Sequence, residues 1–192
     1  MAESVRTFIA IELPPEAREY LALQQADLER AGGNVCWVAP DRIHLTLVFL
    51  GDVLAARLGS LEQAVRGACA GSGPMTLRMG GAGQFPPRGQ PRVIWCGVEE
   101  AGGALQRLQK RLAEATAPFA EEVEDRAYSP HLTLGRVRGG DTRRLSEAVA
   151  AMAGAAGPEF KAREVLIIKS QLSSEGPTYT VLARAALAEG GS

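Results

Sequence analysis

Two copies of the tetrapeptide His-Leu-Thr-Leu contain the side chains of this chain that are best suited to chemistry. They begin at His44 and at His131, 87 positions apart, and together they hold both histidines of the 192 residues. Near neutral pH an imidazole can accept a proton when neutral and donate one when charged, and a threonine hydroxyl can hydrogen-bond to an anion. The pair therefore predicts acid and base chemistry on a phosphate group.

This repetition is too improbable to be a coincidence of composition. At ordinary residue usage a histidine is followed by Leu-Thr-Leu on the order of once in a few thousand cases. Here both histidines of the chain are followed by it. A lone histidine at a strand start is usually structural, but a structural repeat gives no reason to confine histidine to these two places. The functional interpretation is therefore favoured.

Alternation along a strand predicts where the side chains of each motif point. The histidine and the threonine share one face, roughly 7 Å apart, and the two leucines share the other. We expect the leucines to be buried in the core and the pairs His44 with Thr46 and His131 with Thr133 to face a cleft.

The residue types fit the opening of a cyclic phosphodiester. That reaction removes a proton from the attacking water and gives one to the departing sugar oxygen, so two groups with pKa values near ~6.5 suit neutral pH. Threonine hydroxyls and a guanidinium can stabilise the phosphoryl oxygens as charge shifts. The nearly symmetric sequence does not say which histidine is the acid, and the scheme requires neither a metal nor a cofactor.

The elements that position these motifs also repeat. A strand, a helix, the motif strand, a second helix and a further strand follow one another in each half. In the first half these elements are expected at residues 7–13, 15–31, 44–47, 55–70 and 75–79, and in the second half at 93–99, 103–116, 131–134, 142–153 and 165–172.

This order predicts a single α+β domain of two lobes, residues 1–85 and 86–192, related by an approximate twofold axis. Each lobe should have an antiparallel-rich sheet with helices on its outer face, and a cleft should lie between the lobes. Residues 80–92 are rich in glycine and proline, which predicts an irregular loop joining the halves.

Charge and composition limit the classes of partner. Hydrophobic residues make up 46% and charged residues 22%, as in ordinary globular proteins. The net charge of −1 cannot drive indiscriminate binding to a polyanion, so nucleic acid would have to meet a local patch. The candidates for that patch are Arg88, Arg92, Arg136, Arg138, Arg143 and Arg144, each of which could instead be a solvated surface residue.

The cysteines and the apolar segments argue against several other classes. Cys36, Cys69 and Cys96 are odd in number and widely spaced, which predicts free buried thiols and no metal site. No run is long enough for a membrane span, and the first residues do not resemble a secretory leader. We therefore expect a cytoplasmic protein, a monomer, with no membrane and no obligate protein partner.

The chain resembles the 2H phosphoesterase superfamily and, within it, the RNA 2′,3′-cyclic phosphodiesterases, also called 2′-5′ RNA ligases. The resemblance covers nearly the whole chain. It rests on the paired motifs and on an ordered set of segments: TFIAIELP at 7–14, Trp37-Val38, IHLTLVFLGDV at 43–53, GQFP at 83–86, PRVIWCGV at 91–98, SPHLTLGR at 129–136 and EGPTY at 175–179.

The resemblance implies hydrolysis of terminal 2′,3′-cyclic phosphates of RNA to 2′-phosphomonoesters. His44 would be the proton donor to the leaving 3′ oxygen and His131 the proton acceptor from water, while Thr46, Thr133 and Arg136 would bind the phosphate. The family also joins RNA halves reversibly through a 2′-5′ linkage, and other 2H proteins act on small cyclic nucleotides.

An RNA-end binding module with slow or lost chemistry is the alternative to an enzyme.

Two aromatic residues, Phe85 and Tyr128, could stack on a base or could simply be packing residues.

Overall fold

A computed structural model describes residues 3–122, 126–173 and 176–188. The described residues form nine strands and four α-helices. In chain order these are β1 (Ser4–Glu12), α1 (Pro15–Arg30), β2 (Asn34–Trp37), β3 (His44–Leu54), α2 (Leu58–Cys69), β4 (Met75–Phe85), β5 (Val93–Glu99), α3 (Ala104–Thr116), β6 (His131–Gly139), α4 (Arg143–Ala151), β7 (Glu159–Ala162), β8 (Glu164–Ser173) and β9 (Gly176–Ala186).

The strands form two antiparallel sheets, which confirms the predicted α+β class. The first sheet has the order β3-β1-β8-β9 and the second has the order β2-β6-β5-β4-β7. When the two halves of the sequence are matched, β3 corresponds to β6, β1 to β5 and β8 to β4. Three neighbouring strands therefore have the same order in both sheets. The twofold axis itself stays a prediction.

Local sequence explains where the helices begin and end. Helix α1 has Pro15 in its first turn, where a missing N–H costs nothing, and it stops before Gly32 and Gly33, whose positive φ angles of 83° and 103° suit glycine. Helix α3 buries Leu105, Leu108 and Leu112 completely, as their spacing of three and four predicts. Both helices were predicted to within a residue.

Each of these helices crosses from the sheet that precedes it to the other sheet. Helix α1 follows β1 but packs on the second sheet, where Gln25 donates to the carbonyl of Leu134 in β6. Helix α3 follows β5 but contacts β3 of the first sheet, where Gln109 donates to the carbonyl of Leu47. Each sheet also contains strands from both halves of the chain. A division of the chain near residue 85 therefore does not separate the two sheets.

The leucines of both motifs lie in one continuous core. Leu45, Leu132 and Leu134 are completely buried and Leu47 is 3% exposed, which confirms the predicted alternation. A smaller apolar cluster lies on the opposite face of the first sheet and comprises Phe8, Ala10, Leu166 and Ile168, with Tyr179 packed against it.

The prediction of an irregular loop over residues 80–92 is wrong for its first part. Strand β4 continues to Phe85, which pairs with Val93. The glycines here permit close packing: the register shifts between Met79 and Ala82, and a Cβ at Gly83 would overlap the ring of Trp95. Only residues 86–92 connect β4 to β5.

The prediction of three buried thiols is wrong for one of them. Cys69 and Cys96 are buried, but Cys36 is exposed because it points to the opposite face of β2 from Val35 and Trp37, which pack against the core. No helix among the described residues is long and apolar enough to cross a membrane.

Candidate active site

The two motif strands lie in different sheets and meet where the sheets meet. Strands β3 and β6 contact each other. The hydroxyl of Tyr128, just before β6, donates to the carbonyl of Thr46 in β3 at 3.1 Å. Residues 87 positions apart in the chain are thereby brought to neighbouring strands, with the histidine and threonine of each motif half-buried.

Both imidazoles are held in the same way. Nδ1 of His44 lies 3.0 Å from the carbonyl oxygen of Arg42, and Nδ1 of His131 lies 2.8 Å from the carbonyl oxygen of Ser129. A carbonyl oxygen only accepts hydrogen bonds, so Nδ1 carries the proton in both rings. Nε2 is then the nitrogen that can give or take a proton, as acid and base chemistry requires.

Aromatic rings surround His44. Its ring stacks on Phe8 at 4.5 Å between centroids and meets Tyr179 edge to face at 5.2 Å. Burial among these rings lowers the pKa of His44 below its usual value of 6.5, and the hydrogen bond to the Arg42 carbonyl opposes this effect only in part. The neutral imidazole is therefore favoured at this position.

His131 has a different aromatic neighbourhood. Phe85 meets its ring edge to face at 5.1 Å, and the Trp95 ring lies 6.4 Å away. Trp95 pairs directly with Thr133 across β5 and β6 and lies over Gly83. The extended part of β4 that contains Gly83 and Phe85 thus packs beside the second motif.

Each motif strand contains a bulge directly after its threonine. On β3 the partners of Ile9 and Ala10 are Val48 and Thr46, so Leu47 is the extra residue. On β6 the partners of Ile94 and Trp95 are Gly135 and Thr133, so Leu134 is the extra residue. These leucines stand at the same place in the two motifs.

The bulge on β6 brings Arg136 to the face that carries the motif. In a regular strand, residues five apart point to opposite faces, so Arg136 would lie on the other side from His131. The extra residue shifts the alternation by one, and Arg136 pairs with Val93 on the face shared by Trp95 and Thr133. The predicted phosphate ligand Arg136 is thereby placed on the same side as Thr133.

A glutamine from a crossing helix donates a hydrogen bond to each bulge carbonyl. Gln25 of α1 donates to the Leu134 carbonyl at 2.8 Å and to the Val38 carbonyl at 2.7 Å. Gln109 of α3 donates to the Leu47 carbonyl at 3.3 Å. The Leu134 carbonyl also accepts from the backbone N–H of Val38 at 2.9 Å, so the glutamines supply additional hydrogen bonds that stabilise the bulged form of each motif strand.

Tyr179 links the two motifs. It lies on β9 of the first sheet, where its ring contacts His44. The guanidinium of Arg136, from the second sheet, acts electrostatically on its phenol: burial raises the pKa of Tyr179, and Arg136 followed by Arg42 pulls it back down. The arginine of the second motif therefore interacts electrostatically with a residue that contacts the histidine of the first.

The other candidate residues have plainer surroundings. Arg143 pairs with Glu147 on the exposed side of α4 at 3.3 Å, as a solvated surface arginine does. Arg88 and Arg92 are exposed beyond the end of β4, and Arg138 and Arg144 are also exposed. Tyr128 is a packing residue whose hydroxyl donates to the carbonyl of Thr46, and burial raises the pKa of this phenol.

Sequence reasoning missed several members of this site. Phe8, Trp95 and Tyr179 lie within segments that carry the family resemblance, but nothing in their spacing marked them as neighbours of the histidines. Glu175, in the segment EGPTY, lies outside the described residues. Arg42 stands two residues before His44 and could have been found from its position alone.

Three comparisons place the chain among known proteins. The family model described as the 2′-5′ RNA ligase superfamily matches residues 14–173. A protein of Methanothermobacter thermautotrophicus named RNA 2′,3′-cyclic phosphodiesterase is 34% identical over 92% of this chain and 95% of its own length.

Solved structures agree with these sequence matches. A crystal structure of a protein from Thermus thermophilus superposes with a TM-score of 0.80 at 29% identity, covering 96% of this chain and 98% of the other. Escherichia coli LigT complexed with 3′-AMP superposes with a TM-score of 0.76 at 28% identity, covering 96% and 99%.

Proposed function

Because the chain belongs to the 2′-5′ RNA ligase superfamily, we propose that it hydrolyses terminal ribose 2′,3′-cyclic phosphates of RNA to 2′-phosphomonoesters. The observation that carries the proposal is that the two motif strands contact each other and that Tyr128, just before β6, donates a hydrogen bond to the carbonyl of Thr46 in β3. A relative 34% identical bears the name RNA 2′,3′-cyclic phosphodiesterase, and a structural neighbour binds 3′-AMP.

The phosphate is bound first. The hydroxyls of Thr46 and Thr133 and the guanidinium of Arg136 hydrogen-bond to the non-bridging oxygens. These contacts strengthen as negative charge grows on the oxygens in the transition state, so they lower the barrier as well as the dissociation constant. The role of Arg136 is consistent with its place on the motif face of β6.

Proton transfer then opens the ring. Nε2 of His131 takes a proton from water as the water oxygen bonds to phosphorus, and the bond from phosphorus to the 3′ oxygen breaks. Nε2 of His44 gives its proton to that 3′ oxygen, which leaves a 3′ hydroxyl and a 2′-phosphomonoester. The Nδ1 hydrogen bonds to the carbonyls of Arg42 and Ser129 hold both rings for these transfers.

The surroundings of His44 bear on the donor assignment, which rests on the family resemblance. A donor must be charged before the reaction, yet burial lowers the pKa of His44 in the absence of substrate. An anionic phosphate next to the ring favours the charged imidazolium and acts in the opposite direction. Bound substrate therefore raises the pKa of His44, so that the ring takes up a proton from solvent and can serve as the acid.

The test measures turnover of a short RNA with a 2′,3′-cyclic phosphate end by the variants His44→Ala and His131→Ala. Each loses on the order of 10² to 10⁴-fold in kcat, because a general acid or base has been removed. Phosphorus NMR identifies the product as the 2′-phosphomonoester, and unchanged thermal unfolding shows that the variants are folded. Full activity in either variant refutes the mechanism, and tight RNA binding without any product in the unmodified protein favours an RNA-end binding module.

Ligation is the second candidate, and the family description favours it. The 5′ hydroxyl of another RNA replaces water, bonds to phosphorus and gives its proton to His131, while the 3′ oxygen leaves with the proton of His44. The product is a 2′-5′ linkage. Incubating a fragment with a cyclic end and a fragment with a 5′ hydroxyl, both at high concentration, reveals a longer RNA if this reaction occurs.

A further inference from the structure

The two ends of the site differ in charge although the scaffold repeats. The position 87 residues after Arg42 is Ser129, and the position 87 residues before Arg136 is Phe49. Each repeat thus contributes one arginine where the other has an uncharged residue. Both arginines act electrostatically on Tyr179, whose ring contacts His44, so their positive charge acts at the His44 end.

The side chain of Arg42 is directed to the hairpin of β8 and β9. A Cβ added at Gly176, the first residue of β9, would lie 3.1 Å from Nη1 of Arg42. The backbone carbonyl of Arg42 meanwhile accepts the hydrogen bond from Nδ1 of His44. Arg42 therefore joins the first histidine to the strand that carries Tyr179, and its guanidinium lies beside the site.

Among the described residues, no carboxylate neutralises the two arginines. Neither Arg42 nor Arg136 forms an ion pair with a carboxylate among the described residues, and both are exposed. Glu12, which pairs with His44 in the register of β1 and β3, is bound by Arg18 at 3.0 Å. Two guanidinium groups that both act electrostatically on one phenol are well suited to bind an anion there.

We propose that Arg42 and Tyr179, beside Arg136, bind the internucleotide phosphate on the 5′ side of the terminal ribose. The inference rests on the proposed function. In an RNA whose terminal cyclic phosphate lies between the histidines, this phosphodiester is the nearest other anion. With a net charge of −1 the whole molecule attracts RNA weakly, so such a local contact selects oligonucleotides over nucleoside 2′,3′-cyclic phosphates.

The experiment compares two substrates on three proteins. Cytidine 2′,3′-cyclic phosphate lacks the internucleotide phosphate, and a dinucleotide with a 2′,3′-cyclic end has it. The proteins are the unmodified chain, Arg42→Ala and the control Arg66→Ala, whose arginine pairs with Glu62 on α2. The readout is the ratio of kcat/KM for the dinucleotide to that for the mononucleotide.

We expect Arg42→Ala to lower that ratio about tenfold, since it removes a charge-assisted contact that only the dinucleotide makes. Arg42→Lys should recover much of the ratio, because it keeps the charge. The dependence of dinucleotide KM on salt should become shallower, by about 0.7 in the slope of its logarithm for one lost contact. Arg66→Ala should leave the ratio unaltered.

Two other results have distinct meanings. If Arg42→Ala lowers kcat/KM equally on both substrates, the residue acts on His44 or on the hairpin, and the phosphate subsite is refuted. If the unmodified protein turns over neither substrate, it is the proposed function that fails. Tyr179→Phe gives an independent check, because loss of the hydroxyl should lower the same ratio without changing the charge.

Discussion

At the scale of single residues, the two histidines have the same hydrogen bond to the backbone but different aromatic neighbours. Both hold Nδ1 against the carbonyl of the residue two positions earlier. His44 is enclosed by Phe8 and Tyr179, whereas His131 has Phe85 and Trp95 beside it. The repeated motif thus places its first imidazole in an apolar enclosure that lowers the pKa of His44.

This difference predicts the titration of His44. Because burial disfavours the imidazolium, the pKa of His44 in the protein alone should lie below 6.5, and bound inorganic phosphate should raise it. The chain has two histidines, so NMR of the imidazole carbons resolves both, and His131→Gln assigns them. A pKa of His44 above 6.5 without phosphate would contradict the account of its surroundings.

The same shift has a consequence for stability. A histidine whose pKa is lowered by folding takes up a proton more readily in the unfolded chain, so protonation favours unfolding. The free energy of unfolding therefore decreases as the pH falls below about 6.5, the pKa of a histidine in the unfolded chain, and the decrease ends at the lower pKa of His44 in the folded protein. Thermal unfolding of His44→Gln should therefore depend less on pH than that of the unmodified protein between the folded value and 6.5.

At the scale of elements, the sequence predicted the strands and helices better than it predicted their connections. Periodicity located α1, α3 and β5 because each has a strong local pattern. The bulges at Leu47 and Leu134 were not predicted, since they depend on β1, β5 and the glutamines of distant helices. The glycines of β4 predict a loop when they are considered locally, because the contact with Trp95 that explains Gly83 involves a different strand.

The glutamine contacts predict the effect of losing one bulge partner. Gln25→Leu removes one of two donors to the buried carbonyl of Leu134, which keeps the Val38 N–H, and the side-chain donor to the partly buried carbonyl of Val38. The loss should cost about 1 kcal/mol in the free energy of unfolding. Catalysis should also fall, because Arg136 follows the bulge. Urea titration and kcat/KM measure the two effects.

Gln106→Leu is the matched control, since Gln106 lies on the exposed side of α3. It should change the free energy of unfolding by no more than about 0.5 kcal/mol. Equal effects of the two substitutions would mean that the carbonyl of Leu134 does not need Gln25.

At the scale of the whole molecule, the sequence indicated the class of fold and the pairing of the motifs, but not the exchange of strands between sheets. The sequence repeat suggested two halves standing side by side. In the structure β2 and β4 join the sheet of the second histidine, and β8 and β9 join that of the first. Pairing between distant strands is a property of the complete fold, so a repeat in the sequence does not determine it.

Burial across the molecule also predicts how its thiols react. Burial raises the pKa of Cys69 to about 11 and that of Cys96 to about 12, so both stay protonated and shielded, whereas Cys36 is exposed. A thiol reagent should modify Cys36 alone in the native protein and all three cysteines after denaturation. Peptide mass spectrometry identifies the modified residue, and Cys36→Ser should abolish the native reaction.

The crossing of α1 and α3 makes each half of the chain structurally incomplete. A polypeptide ending after Phe85 would have α1 without the sheet that covers its apolar face, and the complementary polypeptide would leave α3 in the same condition. Neither fragment has a core of its own to bury. Severing the connection at residues 86–92 should therefore yield two pieces that are inert apart and recover function only by fragment complementation.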